Sequence, residues 1–283
     1  MKDYFGYEGK RCVVTGPATG MGKTTVEMLL DLGAEVYTLG HKSVVSAEVK
    51  KNIYIDLGSK DSIDEAFKEL PEKFDKFFGI AGAGGIREDF NLTVKINFLS
   101  NKYITDTYLI DRINDNGAIA YMSSIGGIGW VEFQDEFKDV AKASTYEEAV
   151  KLIEAKNVTT GMLGYVFAKR ALIYYSKMMV PKFAMRNVRI NTVSPGITKT
   201  PLLDNAWLPA FGAKSIEAGN LGAVDRYAEP HEMGQPIVFI NSDMASYISG
   251  EDLKVDYGFK GLKDINNPDN LPYAGYPILE NNN

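Results

Sequence analysis

Short runs rich in β-branched and aromatic residues alternate with helical stretches along this chain of 283 residues. The strand-like runs lie at 11–15, 35–39, 52–55, 76–81, 117–122, 188–193 and 253–255. Most of the segments between them carry apolar residues at helical spacing, as at 90–113. Strands connected through helices pair in parallel, and right-handed crossovers place those helices on both faces of the sheet. The alternation therefore predicts an α/β fold with a doubly wound parallel sheet of about seven strands.

No linker or repeat interrupts this pattern, which predicts a single domain over 1–283. Two segments depart from it. Residues 131–160 are charged and rich in alanine, and we interpret them as a helical insertion of one or two surface helices. The tail at 259–283 is rich in asparagine, proline and glycine but keeps apolar side chains. It is interpreted as an arm on a neighbouring subunit, with a loosely ordered end as the alternative.

Composition restricts the classes of partner. The net charge is −6 without a long basic run, which argues against nucleic acid or an anionic membrane surface. No apolar run is long enough to cross a bilayer, and the first residues lack the apolar core of a signal peptide. We therefore expect a cytoplasmic protein. A single cysteine and two scattered histidines do not predict a metal site.

The turn between the first strand and the first helix is a candidate phosphate-binding element. It is T-G-P-A-T-G-M-G over 15–22, and its glycines let the backbone approach a pyrophosphate at the helix N-terminus. The Gly22-Lys23-Thr24 ending is similar to a mononucleotide P-loop, but five residues separate Gly16 from Gly22 where that loop has four. The spacing favours a dinucleotide over a nucleoside triphosphate. A purely structural turn is the alternative.

Tyr165 and Lys169 lie four residues apart in an apolar helical stretch that begins near Gly161. That spacing places a phenol and an ammonium side by side on one helix face. A neighbouring positive charge favours phenolate, so we expect Lys169 to lower the pKa of Tyr165, as proton-transfer catalysis requires. Alone, the pair is more typical of a snorkelling lysine beside a half-buried aromatic ring.

Taken together, six ordered motifs resemble those of the short-chain dehydrogenase/reductase family over about 11–257. They are the glycine turn with Gly16, Thr19, Gly20, Met21 and Gly22; Asp56-Leu57; Ala81-Gly82; Asn97; Ser124 with Tyr165 and Lys169; and Pro195-Gly196-Ile197-Thr198. One motif is incomplete, because the family's N-N-A-G has Gly79 and Ile80 in place of its two asparagines. The resemblance implies a Rossmann fold and an NAD(P)(H)-dependent enzyme.

The resemblance also implies a role for each matched residue. Tyr165 would donate the proton and Ser124 would hold the carbonyl oxygen of the substrate. Lys169 would bind the ribose hydroxyls next to the nicotinamide, and Asn97 would hold a water that connects the lysine to solvent. The glycine turn would bind the pyrophosphate, Asp56-Leu57 and Ala81-Gly82 the adenosine side, and 195–198 the nicotinamide.

The end of the second strand bears on the choice of nicotinamide. Relatives that prefer NAD place a carboxylate there, which binds the ribose 2′-hydroxyl. Here the position is Gly40, followed by His41 and Lys42, so no carboxylate repels a 2′-phosphate and two potential cations stand close by. We therefore favour NADP(H) over NAD(H), although Thr19 adds no basic partner.

The separation of Ser124 from Tyr165 exceeds that of most family members because of the 131–160 insertion. A similar insertion occurs in the bacterial 3α-hydroxysteroid dehydrogenase/carbonyl reductase branch. Trp130, Leu202 and Trp207, with Ser124, are predicted to line an apolar substrate pocket. We expect a hydroxysteroid dehydrogenase acting on a steroid or bile acid, assembled as a homodimer or homotetramer. A general carbonyl reductase and a non-catalytic nucleotide-sensing protein are the alternatives.

Overall fold

The computed structural model describes residues 3–41, 48–220 and 223–265. Its described part contains one sheet of seven strands in the order β3-β2-β1-β4-β5-β6-β7, and every neighbouring pair is parallel. The strands are β1 Arg11–Thr15, β2 Glu35–Gly40, β3 Lys51–Tyr54, β4 Phe74–Gly79, β5 Ile113–Met122, β6 Arg189–Pro195 and β7 Asp252–Val255. This confirms the predicted doubly wound parallel sheet.

Helices cover both faces of the sheet. They are α1 Gly20–Asp31, α2 Lys60–Lys68, α3 Phe90–Val94, α4 Ser100–Ile104, α5 Ile110–Arg112, α6 Lys138–Lys142, α7 Tyr146–Glu154, α8 Gly161–Ala184, α9 Leu208–Phe211, α10 Ala213–Asn220, α11 His231–Asn241 and α12 Phe259–Ile265. Alternate β1 residues belong to separate apolar cores, Val13 to one and Cys12 and Val14 to the other. This alternation is expected for a strand buried on both sides.

The insertion forms helices, but they are more than a surface elaboration. α6 and α7 bury one face each, and Phe137, Val140 and Ile153 are fully enclosed in the larger core with residues of α8. α7 begins at a Thr145 cap, whose hydroxyl accepts a hydrogen bond from the Glu148 N–H. The charged residues thus occupy only the outer faces of these helices.

The described residues 199–220 and 223–228, which follow β6, are here called the lid. It leaves and returns at one point, where Thr198 and Ala228 form a parallel bridge and the Lys199 N–H donates to the Ala228 carbonyl at 2.9 Å. The first part of the lid is a π-helical turn at Leu203–Trp207 that continues into α9. The lid is therefore a closed loop above the carboxyl ends of the strands.

Two predictions lie wholly or partly outside the described residues. Lys42 is one of them, and so is the predicted C-terminal arm beyond α12. Among the helices that are described, none combines the length and the apolar character needed to cross a membrane.

Candidate active site

Tyr165, Lys169 and Ser124 meet at the carboxyl edge of the sheet. α8 carries Tyr165 and Lys169 on one face, and Ser124 follows the end of β5. The Ser124 hydroxyl lies close enough to the Tyr165 hydroxyl to lower its pKa, and Ser124 Oγ accepts a hydrogen bond from the Gly126 N–H at 3.0 Å. Lys169 Nζ lies 5.5 Å from the centre of the Tyr165 ring and donates to the Met122 carbonyl at 2.8 Å. The residues predicted to form a proton-transfer site are thus brought together.

Burial dominates the electrostatics of this group. It raises the pKa of Tyr165 to about 12, against the opposing effect of the hydrogen bond from Ser124. It also lowers the pKa of Lys169 to about 8. The expected lowering of the Tyr165 pKa by Lys169 is therefore wrong for the protein without nucleotide, because the cost of desolvating phenolate prevails. The sequence pattern gave the proximity of the two groups but not their shared burial.

Asn97 is completely buried in a π-helical turn, Lys95–Leu99. Its Oδ1 accepts from the Ala83 N–H at 2.8 Å, and its Nδ2 donates to the Ala83 carbonyl at 2.9 Å. A Cβ on Gly82 would lie 2.7 Å from Asn97 Oδ1 and 3.7 Å from Lys169 Nζ. Asn97 therefore holds the loop after β4 beside Lys169, while its water-holding role stays a prediction.

The glycine turn has the features of a phosphate cradle. Gly16 adopts a φ of +70°, and a Cβ there would lie 2.8 Å from Ala81 Cα. A Cβ on Gly22 would lie 2.0 Å from the Gly16 carbonyl oxygen. α1 begins at Gly20 without a side-chain cap from Thr19, so its first N–H groups are left for another acceptor. This arrangement suits a dinucleotide pyrophosphate.

A groove of about 540 Å³ extends along the turn. Its lining includes the predicted residues Thr19, His41, Leu57, Ala81 and Gly82, and the lid residues Pro201, Leu202, Asn205 and Ala206 cover it. Gly40 ends β2 next to His41, whose ring packs edge-on against Tyr54 at 5.7 Å. Asp56 is not among the lining residues, and its Oδ1 accepts a hydrogen bond from the Gly58 N–H at 2.8 Å.

A second cavity, of about 250 Å³, opens on Ser124 and Tyr165. Its walls include the predicted residues Pro195, Gly196, Ile197, Thr198, Leu202 and Trp207, together with Met21 from the glycine turn. Met162, Phe211 and Ile216 complete an apolar lining. Met162 and Ile216 carry no sequence signal for this role, since their apolar character is equally that of core residues.

Trp130 is not part of this cavity, which corrects its predicted place. The chain turns tightly after Ser124, at Ile125–Gly127, and Trp130 then lies below Lys177 of α8, whose Nζ is 5.4 Å from the indole ring. There it lines a separate polar cavity with Glu132 and Lys254.

The chain is 30% identical over 250 residues to a coniferyl-alcohol dehydrogenase from Pseudomonas sp. strain HR199, with 88% of this chain and 96% of that protein covered. It belongs to the short-chain dehydrogenase/reductase family. A family model described as NAD-dependent epimerase/dehydratase matches residues 12–170, and one described as enoyl-(acyl carrier protein) reductase matches residues 149–260. This short-chain dehydrogenase/reductase is therefore an NAD(P)-dependent oxidoreductase acting on alcohols and ketones.

Other relatives of this short-chain dehydrogenase/reductase act on differing substrates. A 3-alpha-hydroxysteroid dehydrogenase/carbonyl reductase from Comamonas testosteroni is 26% identical over 251 residues, covering 88% of this chain and 96% of the relative. The crystal structure of a 3-alpha-hydroxysteroid dehydrogenase from Pseudomonas sp. B-0831, complexed with NADH, aligns with a TM-score of 0.75. That alignment covers 92% of this chain and all of the other at 24% identity, which demonstrates a shared fold.

Proposed function

We propose that the enzyme interconverts a secondary alcohol and a ketone of a flat hydrophobic compound, a hydroxysteroid or bile acid. The observation that carries this proposal is the position of the neighbouring Ser124 and Tyr165 side chains at an otherwise largely apolar cavity. An apolar wall with a few polar groups at one end orients a ring system with its oxygen toward those groups. The resemblance to hydroxysteroid dehydrogenases is in keeping with it.

Each residue of the site has a stated task in this proposal. The bound nicotinamide supplies or accepts the hydride. Ser124 donates a hydrogen bond to the substrate oxygen, where negative charge develops during reduction. Tyr165 gives that oxygen its proton in reduction and removes it in oxidation. Lys169 holds the ribose hydroxyls and, once charged, stabilises the tyrosinate.

The nucleotide is proposed to be NADP(H) rather than NAD(H). β2 ends in Gly40 rather than a carboxylate, so no negative side chain at that position repels a 2′-phosphate. His41 lines the nucleotide groove and supplies a polar side chain next to that position. A ratio of kcat/KM for NADPH to that for NADH above unity is expected, and a tenfold preference for NADH would contradict the proposal.

A spectrophotometric panel tests the substrate class. Androsterone, cholic acid, cyclohexanol and coniferyl alcohol are each oxidised with NADP⁺ and with NAD⁺, and kcat/KM is compared. We expect the two steroids to exceed cyclohexanol, because only they fill the apolar wall. A preference for coniferyl alcohol would contradict the steroid proposal, and equal values for all four would indicate a general carbonyl reductase.

We also propose a homodimer or homotetramer. In most of the family the helix that carries the tyrosine and lysine contributes to subunit contacts. Here Phe137 of the insertion packs edge-on against Tyr174 of that helix at 5.8 Å, so the insertion is attached to the same helix. Light scattering coupled to gel filtration measures the mass, and a monomer at micromolar concentration would contradict the proposal.

A further inference from the structure

One aromatic side chain of the lid contacts both the loop after β4 and Tyr165. Trp207, at the end of the π-helical turn, donates from Nε1 to the Gly84 carbonyl at 3.1 Å. Gly84 belongs to the loop after β4 that Asn97 holds beside Lys169. The lid is therefore attached directly to the loop that borders the nucleotide groove.

The same indole also covers the reacting tyrosine. The Trp207 and Tyr165 rings lie with their centres 5.3 Å apart and their planes at 90°. This is the edge-to-face geometry that aromatic pairs favour, worth about 0.5–1.5 kcal/mol beyond the area buried. Tyr165 is 8% exposed, so the indole is one of the groups that exclude water from it.

Space for this contact depends on Gly84. A Cβ there would lie 2.8 Å from Leu202 Cδ1 and 3.1 Å from Trp207 Nε1. Leu202 lines both the nucleotide groove and the substrate cavity. The seat of the lid is thus formed where the two cavities adjoin.

We propose that Trp207 is a positioning residue, which aligns and desolvates Tyr165 when the lid is seated on Gly84, as well as a wall of the substrate cavity. The inference rests on the role proposed above for Tyr165. Ser124 from the end of β5 and Lys169 from the same helix also face that tyrosine. Of Ser124, Lys169 and Trp207, only Trp207 belongs to the lid. A movement of the lid therefore changes the surroundings of the Tyr165 hydroxyl through this contact.

The lid has a second attachment that leaves Tyr165 untouched. Arg87, on the same loop as Gly84, donates from Nη2 to the Asn205 carbonyl at 3.3 Å. Arg87→Ala loosens the lid without removing the Trp207 ring, whereas Trp207→Leu removes ring and hydrogen bond together. Trp207→Phe keeps the ring and removes only the donor to Gly84.

The test compares the three variants in oxidation of cyclohexanol, a probe too small to need the Trp207 wall for binding. In Trp207→Leu, kcat is expected to fall about tenfold or more, because small misplacements of reacting groups are costly. The pH at which kcat reaches half its maximum is expected to fall too, since water now reaches the phenol. Trp207→Phe and Arg87→Ala are expected to keep the wild-type pH profile and to lower kcat much less than Trp207→Leu does.

A fluorescence measurement gives a readout without turnover. The chain has two tryptophans, so Trp207 is the only one in a Trp130→Phe background. NADPH is expected to shift its emission, and Arg87→Ala to weaken that shift. An unchanged pH profile of kcat in Trp207→Leu would overturn the positioning role. The same shift of that profile in all three variants would overturn it as well. Full activity of Tyr165→Phe would instead refute the proposed role of the tyrosine itself.

Discussion

Tyr165 and Lys169 are buried together and both meet the end of β5. Tyr165 lies beside Ser124, and Lys169 donates a hydrogen bond to the Met122 carbonyl, so this face of α8 packs against the end of that strand. At the scale of single residues, the site is thus a junction between a helix and a strand. The pKa values of both groups depend on the exclusion of water from that junction.

Replacing Tyr165 with phenylalanine removes one oxygen and little volume. We expect kcat to fall about 10²- to 10⁴-fold, the usual contribution of a positioned proton donor. The dissociation constant for NADPH is expected to change little, and fluorescence titration checks it. Tyr174→Phe, on the same helix, is the matched control, and near-wild-type turnover in Tyr165→Phe would contradict the assignment.

Lys169 makes stability depend on pH in a defined direction. Its pKa is about 8 when folded, against an ordinary value of 10.5. Between these values the unfolded chain binds more protons, so this residue's contribution to the free energy of unfolding rises with pH. The difference between wild type and Lys169→Met is therefore expected to move in favour of wild type from about pH 8 to pH 10.5. Urea denaturation without nucleotide measures it, and a constant difference would contradict the stated pKa.

Sequence reasoning located individual site residues where a motif fixed their backbone position, and did less well where side-chain direction decides. Ser124 and Leu202 both line the cavity beside Tyr165, and their role toward a substrate stays a prediction. Trp130 does not, because the turn after Ser124 directs it toward Lys177. Nor does any local pattern show that Trp207 bonds to Gly84, since those residues are far apart in the chain.

At the scale of elements, the strands were predictable because buried parallel strands are short apolar runs between turns. Their ends were less so. β4 is Phe74–Gly79 instead of 76–81, since the chain leaves the sheet at Gly79 to follow the nucleotide groove. The burial of the insertion could not be predicted from the sequence either. A charged helix with spaced apolar residues has the same sequence pattern whether it lies on the surface or packs one face against the core.

The insertion is expected to contribute to stability. Ile153 in α7 is completely buried in the larger core. Ile153→Ala should lower the free energy of unfolding by about 2–5 kcal/mol, through lost burial and the cavity left behind. The neighbouring exposed Glu154→Ala should change it by less than about 0.5 kcal/mol. Equal effects in urea denaturation would mean that the insertion is a surface addition.

The seat of the lid can be tested with a single methyl group. Gly84→Ala places a Cβ against Leu202 and Trp207, so the lid has to move. We expect KM for androsterone to rise about tenfold, a loss near 1.4 kcal/mol of substrate binding. Gly261→Ala is the control, because a Cβ there meets nothing within 4 Å. Unchanged KM values in both variants would show that the lid does not rest on Gly84.

At the scale of the whole molecule, the nucleotide groove joins loops from β1, β2, β4 and the lid. A ligand bound there stabilises the fold as a unit. We expect one cooperative thermal transition, with NADPH at a hundred times its dissociation constant adding about 2.7 kcal/mol. Adenosine, which lacks phosphates, is the control. Two separate transitions, or a shift confined to one of them, would contradict a single domain.

The bridge between Thr198 and Ala228 brings the two ends of the lid together. Ser124, Tyr165 and Lys169 lie outside the lid, whereas Leu202 and Trp207, which line the cavity beside Tyr165, belong to it. Exchange of the lid with the corresponding segment of a relative is therefore expected to change the substrate preference, while Ser124, Tyr165 and Lys169 stay in place.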